Sequence, residues 1–315
     1  MPFEQVDAAV IMRDLQTRQS DPAPLRRPGA AATALRAAAV LGISFLLFVA
    51  VYLVAVRTET GQRFENDVWL GAGQTAMQRP AQAAGALNLI GNYTGAAAVA
   101  AVFLIGLLRR RFVLAVAGVA VIGASVVTAE YLKDALPRPN LVPGWPNDAG
   151  NSYPSGHTGI AMAVMFALIL VSPYRIRGLV ASCSAALATE IGALTIIARW
   201  HRPSDTLGAD LMVLGYASLA VLILAACGRV RPAEPQPAGG VFALSPIVAG
   251  TVTALCGAAL FAALTYYHRV TLAPGFEILH AAFFTGCLIA LAGSGLATLA
   301  LLRLLRRLEL APPRG

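Results

Sequence analysis

Runs of about 20 apolar residues recur along this chain of 315 residues, and no other property restricts its fold so tightly. A helix that crosses a hydrocarbon layer of ~30 Å must satisfy its own backbone polar groups, which takes roughly 20 residues at ~1.5 Å each. Runs that meet or approach this length lie at 36–56, 85–108, 112–132, 157–172, 178–198, 205–227, 241–266 and 278–302. The fourth is the shortest and borrows from its flanks. With 57% hydrophobic and 13% charged residues, the chain is too apolar for a water-soluble domain of this length. The Ala, Gly and Ser content of the runs suits close helix approach in lipid. The expected fold is an all-α polytopic membrane helix bundle with about eight transmembrane helices.

A formal charge of +8 would suit a nucleic-acid partner only if the arginines gathered on one soluble face. They gather at segment ends instead: Arg26, Arg27 and Arg36; Arg109 to Arg111; Arg175 and Arg177; Arg229 and Arg231; Arg303, Arg306 and Arg307. These clusters fall on alternate connections. The positive-inside rule therefore places both termini in the cytoplasm and turns 57–84, 133–156, 199–204 and 267–277 outward, in a multi-pass protein of the cytoplasmic membrane. Nucleic acid is not an expected partner. Cys183, Cys227, Cys256 and Cys287 lie in or at the ends of apolar runs, without metal-ligand spacing, and read as small buried hydrophobes.

Residues 1–33 are polar, with a weak helical stripe of Phe3, Val6, Val10 and Ile11, and lack the arrangement of a cleaved signal peptide. The outward stretch 57–84 carries Phe64, Val68 and Leu70 among polar residues, as a cap or short amphipathic helix over the bundle would. A proline-rich linker at 229–240 separates a membrane core, 34–228, from a C-terminal helix pair and tail, 241–315.

Three polar stretches interrupt the apolar pattern on the expected outer side: LKDALPRPN at 132–140, SYPSGHTG at 152–159 and ARWHRPSD at 198–205. Lys133 is the chain's single lysine. Together with Arg138, Arg199 and Arg202 it forms a cationic set suited to phosphate oxygens. Ser155 and Gly156 precede a helix starting near His157, so free N–H groups and the helix dipole favour an anion there. His157 and His201 offer a nucleophile and a proton donor that work near neutral pH. Asp205, four residues beyond His201, is spaced to orient its ring and stabilise the charged imidazole.

These stretches resemble the type 2 phosphatidic acid phosphatases (PAP2), a family that shares its fold with the vanadium haloperoxidases and has the motifs KxxxxxxRP, PSGH and SRxxxxxHxxxD. PSGH is intact as Pro154, Ser155, Gly156 and His157, and the third motif keeps His201 and Asp205. The resemblance spans roughly 130–210 and implies a six-helix core, beyond which the linker sets off the C-terminal helix pair. It also implies that His201 attacks phosphorus to form a phosphohistidine, that Asp205 supports it, and that His157 protonates the leaving oxygen. Lys133, Arg138, Ser155 and Gly156 would hold the phosphate, with neither metal nor cofactor. The chain departs from the pattern twice. Four residues separate Lys133 from Arg138 where the family has six, and Leu194 and Thr195 stand where it has Ser and Arg. Arg199 and Arg202 are both candidates to replace that arginine.

The resemblance implies a lipid phosphatase acting at the outer membrane face, with membrane lipids as surroundings and a polyprenyl phosphate or pyrophosphate, or a phosphatidate-type lipid, as substrate. A lipid phosphotransferase, or a lipid-binding or lipid-moving protein with impaired catalysis, are the alternatives; the oligomeric state stays open. His268 and His280 read as interfacial polar residues. Glu190, about 16 Å below His201 along a continuous helix, is too deep for catalysis and reads as a buried hydrogen-bond partner, as does Asp210. Trp200 suits the interface or a lipid entrance.

Overall fold

The computed structural model describes residues 29–74, 78–90, 92–142, 150–233, 244–270 and 275–310. The stripe in 1–28, the linker residues 234–240, the start of the following run at 241–243 and the side chain of His268 lie outside the described residues. The described chain is helical almost throughout: α1 (Ala30–Val51), prolonged by a wider turn at Tyr52–Val56, then α2 (Glu59–Gln74), α3 (Gln78–Asn88), α4 (Asn92–Leu108), α5 (Phe112–Ala135), α6 (Gly156–Val171), α7 (Arg177–Ile197), α8 (Pro203–Ala226), α9 (Ser245–Val270) and α10 (Gly275–Leu304). Six of these segments are long and apolar enough to cross a membrane, and Thr94–Leu108 and Gly156–Val171 are shorter apolar helices. The chain is thus an all-α, multi-pass membrane bundle.

Each helix end has a local cause. Ser155 caps α6, its hydroxyl accepting from the N–H of Thr158 at 3.3 Å. Pro137 forces Leu136 into an extended conformation and stops α5. Gly228, at φ +67°, closes α8 while the N–H groups of Gly228 and Arg229 return to the carbonyls of Ala225 and Leu224. The second apolar run, expected as one helix over 85–108, is divided. Leu89 and Ile90 bond to carbonyls three residues back and tighten the end of α3, so that the membrane-spanning part begins afresh with α4.

The core is centred on α6, whose Met162, Ala163, Phe166, Ala167, Ile169 and Leu170 are completely buried. It is enclosed by α4, α5, α7 and α8. A helix of 16 residues rises only ~24 Å, less than the hydrocarbon layer. Protein surrounds it on four sides. Farther out, α2 lies against α7 and α10 through Val68 and Ala72 on Ile196, Ala282 and Phe283. Its approach to α10 is close enough that a Cβ on Gly71 would stand 2.1 Å from the carbonyl oxygen of Leu279. The stretch expected as a cap or amphipathic helix therefore forms α2 and α3, and α2 has a buried polar face of Gln62, Glu65 and Asn66. Meanwhile α10 packs on α2, α7, α8 and α9 together.

At the opposite end the arginine-rich connections meet. The guanidinium of Arg109 donates to the carbonyl of Val171, Arg111 pairs with Glu309 at 3.1 Å, and the buried Arg177 donates to the carbonyls of Leu305 (3.3 Å) and Leu308 (2.9 Å). Here the start of the expected linker forms β1 (Val230–Pro232), which pairs antiparallel with β2 (Leu308–Leu310). The four cysteines are not buried as expected. Cys183, Cys227 and Cys256 are exposed on the bare bundle, and Cys287 is half-buried against the cluster of Val68, Ile196 and Phe283. Glu190 is likewise exposed. It stands two residues from the buried Ala188, on the opposite side of α7, and is not the buried partner expected. Asp210 is that kind of residue, accepting from the hydroxyl of Ser294 at 3.0 and 3.1 Å.

Arg177 makes charge-assisted bonds worth about 1.5–3 kcal/mol each at buried sites. Arg177→Leu is expected to lower the thermal unfolding midpoint of the detergent-solubilised protein, whereas Arg175→Leu, at an exposed position beside it, leaves the midpoint in place. Equal midpoints for the two variants would show that the anchor carries no weight.

Candidate active site

The polar stretches between helices converge at the end where α6 begins. Asp205 sits in the first turn of α8, completely buried. Its Oδ2 accepts from the Ser152 hydroxyl at 2.6 Å and from the backbone N–H of Arg202 at 2.9 Å, and faces Nδ1 of His201 at 3.4 Å. The spacing of four residues works because the 198–202 connection turns back over the start of α8. Arg199, at φ +62°, makes that turn, and the N–H groups of Trp200 and His201 both reach the carbonyl of Thr195. With Nδ1 engaged, Nε2 is the nitrogen of His201 left for chemistry.

The segment before α6 is fixed to the same carboxylate residue, since the N–H of Ser155 donates to the Asp205 carbonyl at 2.8 Å. Tyr153 is buried between Phe48 and Tyr52, its ring centroid 4.9 and 5.6 Å from theirs, and its hydroxyl donates to the Phe48 carbonyl at 2.7 Å. Gly208 makes room for this ring, as a Cβ there would lie 2.5 Å from it. These contacts set His157 at the first turn of α6, its ring centroid 6.3 Å from that of His201 and 5.2 Å from that of Trp200.

The cations divide. Arg138 is buried between two carboxylates: it donates to Glu65 Oε2, and its Nη1 lies 3.8 Å from Asp205 Oδ1. Glu65 comes from α2 and also accepts from the N–H of Ser204 at 3.2 Å. Burial raises the Glu65 carboxyl above the ordinary carboxylate range, although the Arg138 charge pulls it down. Gln62, one turn earlier, holds the Arg138 loop by donating to the Pro139 carbonyl at 2.6 Å and accepting from the N–H of Leu141 at 3.1 Å. Lys133 pairs with Glu130 at 2.7 Å beside Gly156, where a Cβ would be 3.2 Å from Nζ.

The two candidate replacement arginines part ways. The Arg199 guanidinium lies 3.2 Å from the Trp69 ring centroid, on α2, while the Trp69 indole donates to the Arg199 carbonyl at 3.2 Å. Arg202 turns inward, with Nη1 3.5 Å from the Ser152 hydroxyl that bonds Asp205. Burial, and then the charge of Arg138, lower its pKa from the ordinary arginine value. Thr195, where the family motif has arginine, is buried with its hydroxyl on the Gly192 carbonyl. Arg138 Nη1, Arg199 Nε, Arg202 Nε and Asp205 Oδ1 have no hydrogen-bond partner among the described residues. Among those residues no group of three His, Cys, Asp or Glu side chains converges to hold a metal ion. The unpaired donors of Arg138 and Arg202, the two guanidiniums near the Asp205–Ser152 pair, suit an oxyanion.

His157, His201, Asp205, Arg138, Arg202, Ser155, Gly156 and Lys133 are therefore drawn to one end of α6, while the Arg199 guanidinium points to Trp69. Glu65, Gln62 and Ser152 were missed by the sequence reading. The signal for the first two was present as a helical polar stripe in 59–74, and that for Ser152 lay only in its nearness to PSGH.

The bundle thus carries a histidine–carboxylate pair, with the guanidinium of Arg138 beside the carboxylate and that of Arg202 beside the serine that bonds it. Residues 112–231 match the PAP2 superfamily, whose members are typically phosphatases. No curated protein and no solved structure matches the chain.

Orthovanadate reports on such an anion site. Arg202→Ala is expected to weaken vanadate binding about 10- to 100-fold, the loss of one charge-assisted bond. Arg199→Ala should leave it unchanged. The reverse order, measured by titration of the purified protein, would assign the anion to Arg199.

Proposed function

We propose that this membrane protein hydrolyses a phosphomonoester or pyrophosphate of a lipid through a phosphohistidine on His201. The observation that carries the reading is the His201–Asp205 pair facing His157, with Arg138 and Arg202 flanking the carboxylate. Nε2 of His201 attacks phosphorus, the bond from phosphorus to the lipid oxygen breaks, and that oxygen takes a proton from His157. Water then attacks the phosphohistidine, giving its proton to His157 as the P–N bond breaks and phosphate leaves. Asp205 holds Nδ1–H throughout and stabilises the imidazolium. Ser155 and Gly156 present the N-terminal N–H groups of α6, while Lys133, Arg138 and Arg202 neutralise charge developing on the equatorial oxygens.

Trp200, 37% exposed beside His157, gives a lipid tail an apolar surface next to the histidines. Polyprenyl phosphates or pyrophosphates and phosphatidate-type lipids have that shape. By the positive-inside rule, the arginine-rich opposite end is cytoplasmic and the site acts at the outer face.

The test is phosphate release from a panel of lipid phosphates and pyrophosphates. His201→Ala is expected to abolish release, and a rate equal to that of the unmodified protein would overturn the proposal. His157→Ala should lose activity on lipid alcohol leaving groups yet keep much of it on an aryl phosphate, whose leaving group needs no proton. A uniform loss on both substrates would remove the acid role from His157.

A further inference from the structure

A second cationic site lies at the other end of the bundle. Where α1 and α10 diverge, a cavity of about 580 Å³ opens between them, lined by Arg36, Arg303, Arg306 and Arg307. All four arginines are exposed. Among the described residues none is paired with a carboxylate; Glu309, the acid at this end, is engaged by Arg111. Four like charges facing one cavity repel each other unless an anion joins them. The histidine site is not the same place, since Arg36 precedes Tyr52, which bonds the Pro137 carbonyl beside that site, by sixteen residues. That is about 24 Å along α1.

The rest of the wall decides the kind of anion. Ala39, Val40 and Ala300 line the cavity on its apolar side. From there the outward faces of α1 and α10 continue with Ile43, Leu46, Leu47 and Leu296, all exposed on the bare bundle. A small inorganic anion would use the arginines and leave this track idle. An amphipathic anion would use both.

We propose that this cavity holds the headgroup of an anionic phospholipid in the leaflet opposite the histidine site. Its phosphate takes charge-assisted bonds from Arg36, Arg303, Arg306 and Arg307, and its acyl chains run along α1 and α10. The ligand is a bound membrane lipid rather than a substrate, as the cavity contains neither histidine nor carboxylate.

Native mass spectrometry of the full chain in detergent, titrated with short-chain phosphatidylglycerol, phosphatidylcholine or inorganic phosphate, tests this. Phosphatidylglycerol is expected to bind in preference to phosphatidylcholine, and excess phosphate should fail to displace it. Each cationic side chain near an anionic lipid is worth about 1 kcal/mol, so R303Q/R307Q should bind phosphatidylglycerol roughly 30-fold more weakly. R110Q/R175Q, which removes two exposed arginines from other connections of the same end, should bind as the unmodified protein does. Equal binding by R303Q/R307Q, equal binding of the two lipids, or displacement by phosphate would overturn the proposal. The readout is lipid bound rather than phosphate released, so it stands apart from the fate of the phosphatase reading.

Discussion

A single buried carboxylate organises one end of this bundle. An ionised Asp205 enclosed by apolar helices would be strongly unfavourable if left unpaired. Its Oδ2 is met by the hydroxyl of Ser152, the N–H of Arg202 and the ring of His201, and its Oδ1 faces the guanidinium of Arg138 at 3.8 Å. No two of these donors come from the same secondary-structure element except His201 and Arg202. The carboxylate keeps these partners only when the segment before α6, the turn before α8 and the loop after α5 are closed together. Burying one charge thereby fixes three connections that have little apolar surface of their own.

Glu65 extends the arrangement to α2. It shares Arg138 with Asp205 and accepts an N–H from the first turn of α8. The two carboxylates and one guanidinium alternate in a row, so that Arg138 is held from both sides while its Nη1 stays without a hydrogen-bond partner among the described residues. A cation held in this way needs little rearrangement when an oxyanion arrives.

Much of the bundle was legible because backbone hydrogen bonding in lipid allows few alternatives to a helix of about 20 residues. The apolar runs located the membrane helices, and the division at Leu89–Ile90 escaped because hydropathy does not sense a tightening last turn. His157, His201 and Asp205 were legible because their polar neighbours interrupt apolar runs. Glu65 was not, since a carboxylate in an amphipathic stretch looks like a solvated face until α10 and α8 are placed beside it. Arg199 and Arg202 were indistinguishable by position. The left-handed turn at Arg199 sends one guanidinium to Trp69 and allows the other to turn toward Ser152. Glu190 was misread through depth alone, when its angular position on α7 put it outside.

The packing of α10 has a bearing on how such proteins are divided. The superfamily match stops at residue 231, but α10 lies against α2, α7 and α8, and Gly286 faces both Val68 of α2 and Pro203 at the start of α8, so tightly that a Cβ there would come within 2.7 Å of Val68 and 2.9 Å of Pro203. The helix that carries Glu65 thus leans on a helix well beyond the matched region. The segment recognisable by descent and the smallest piece that keeps its shape are different lengths of chain. A fragment cut at the end of the recognisable part would retain both histidines while losing the surface that supports α2 and the carboxylate behind Arg138.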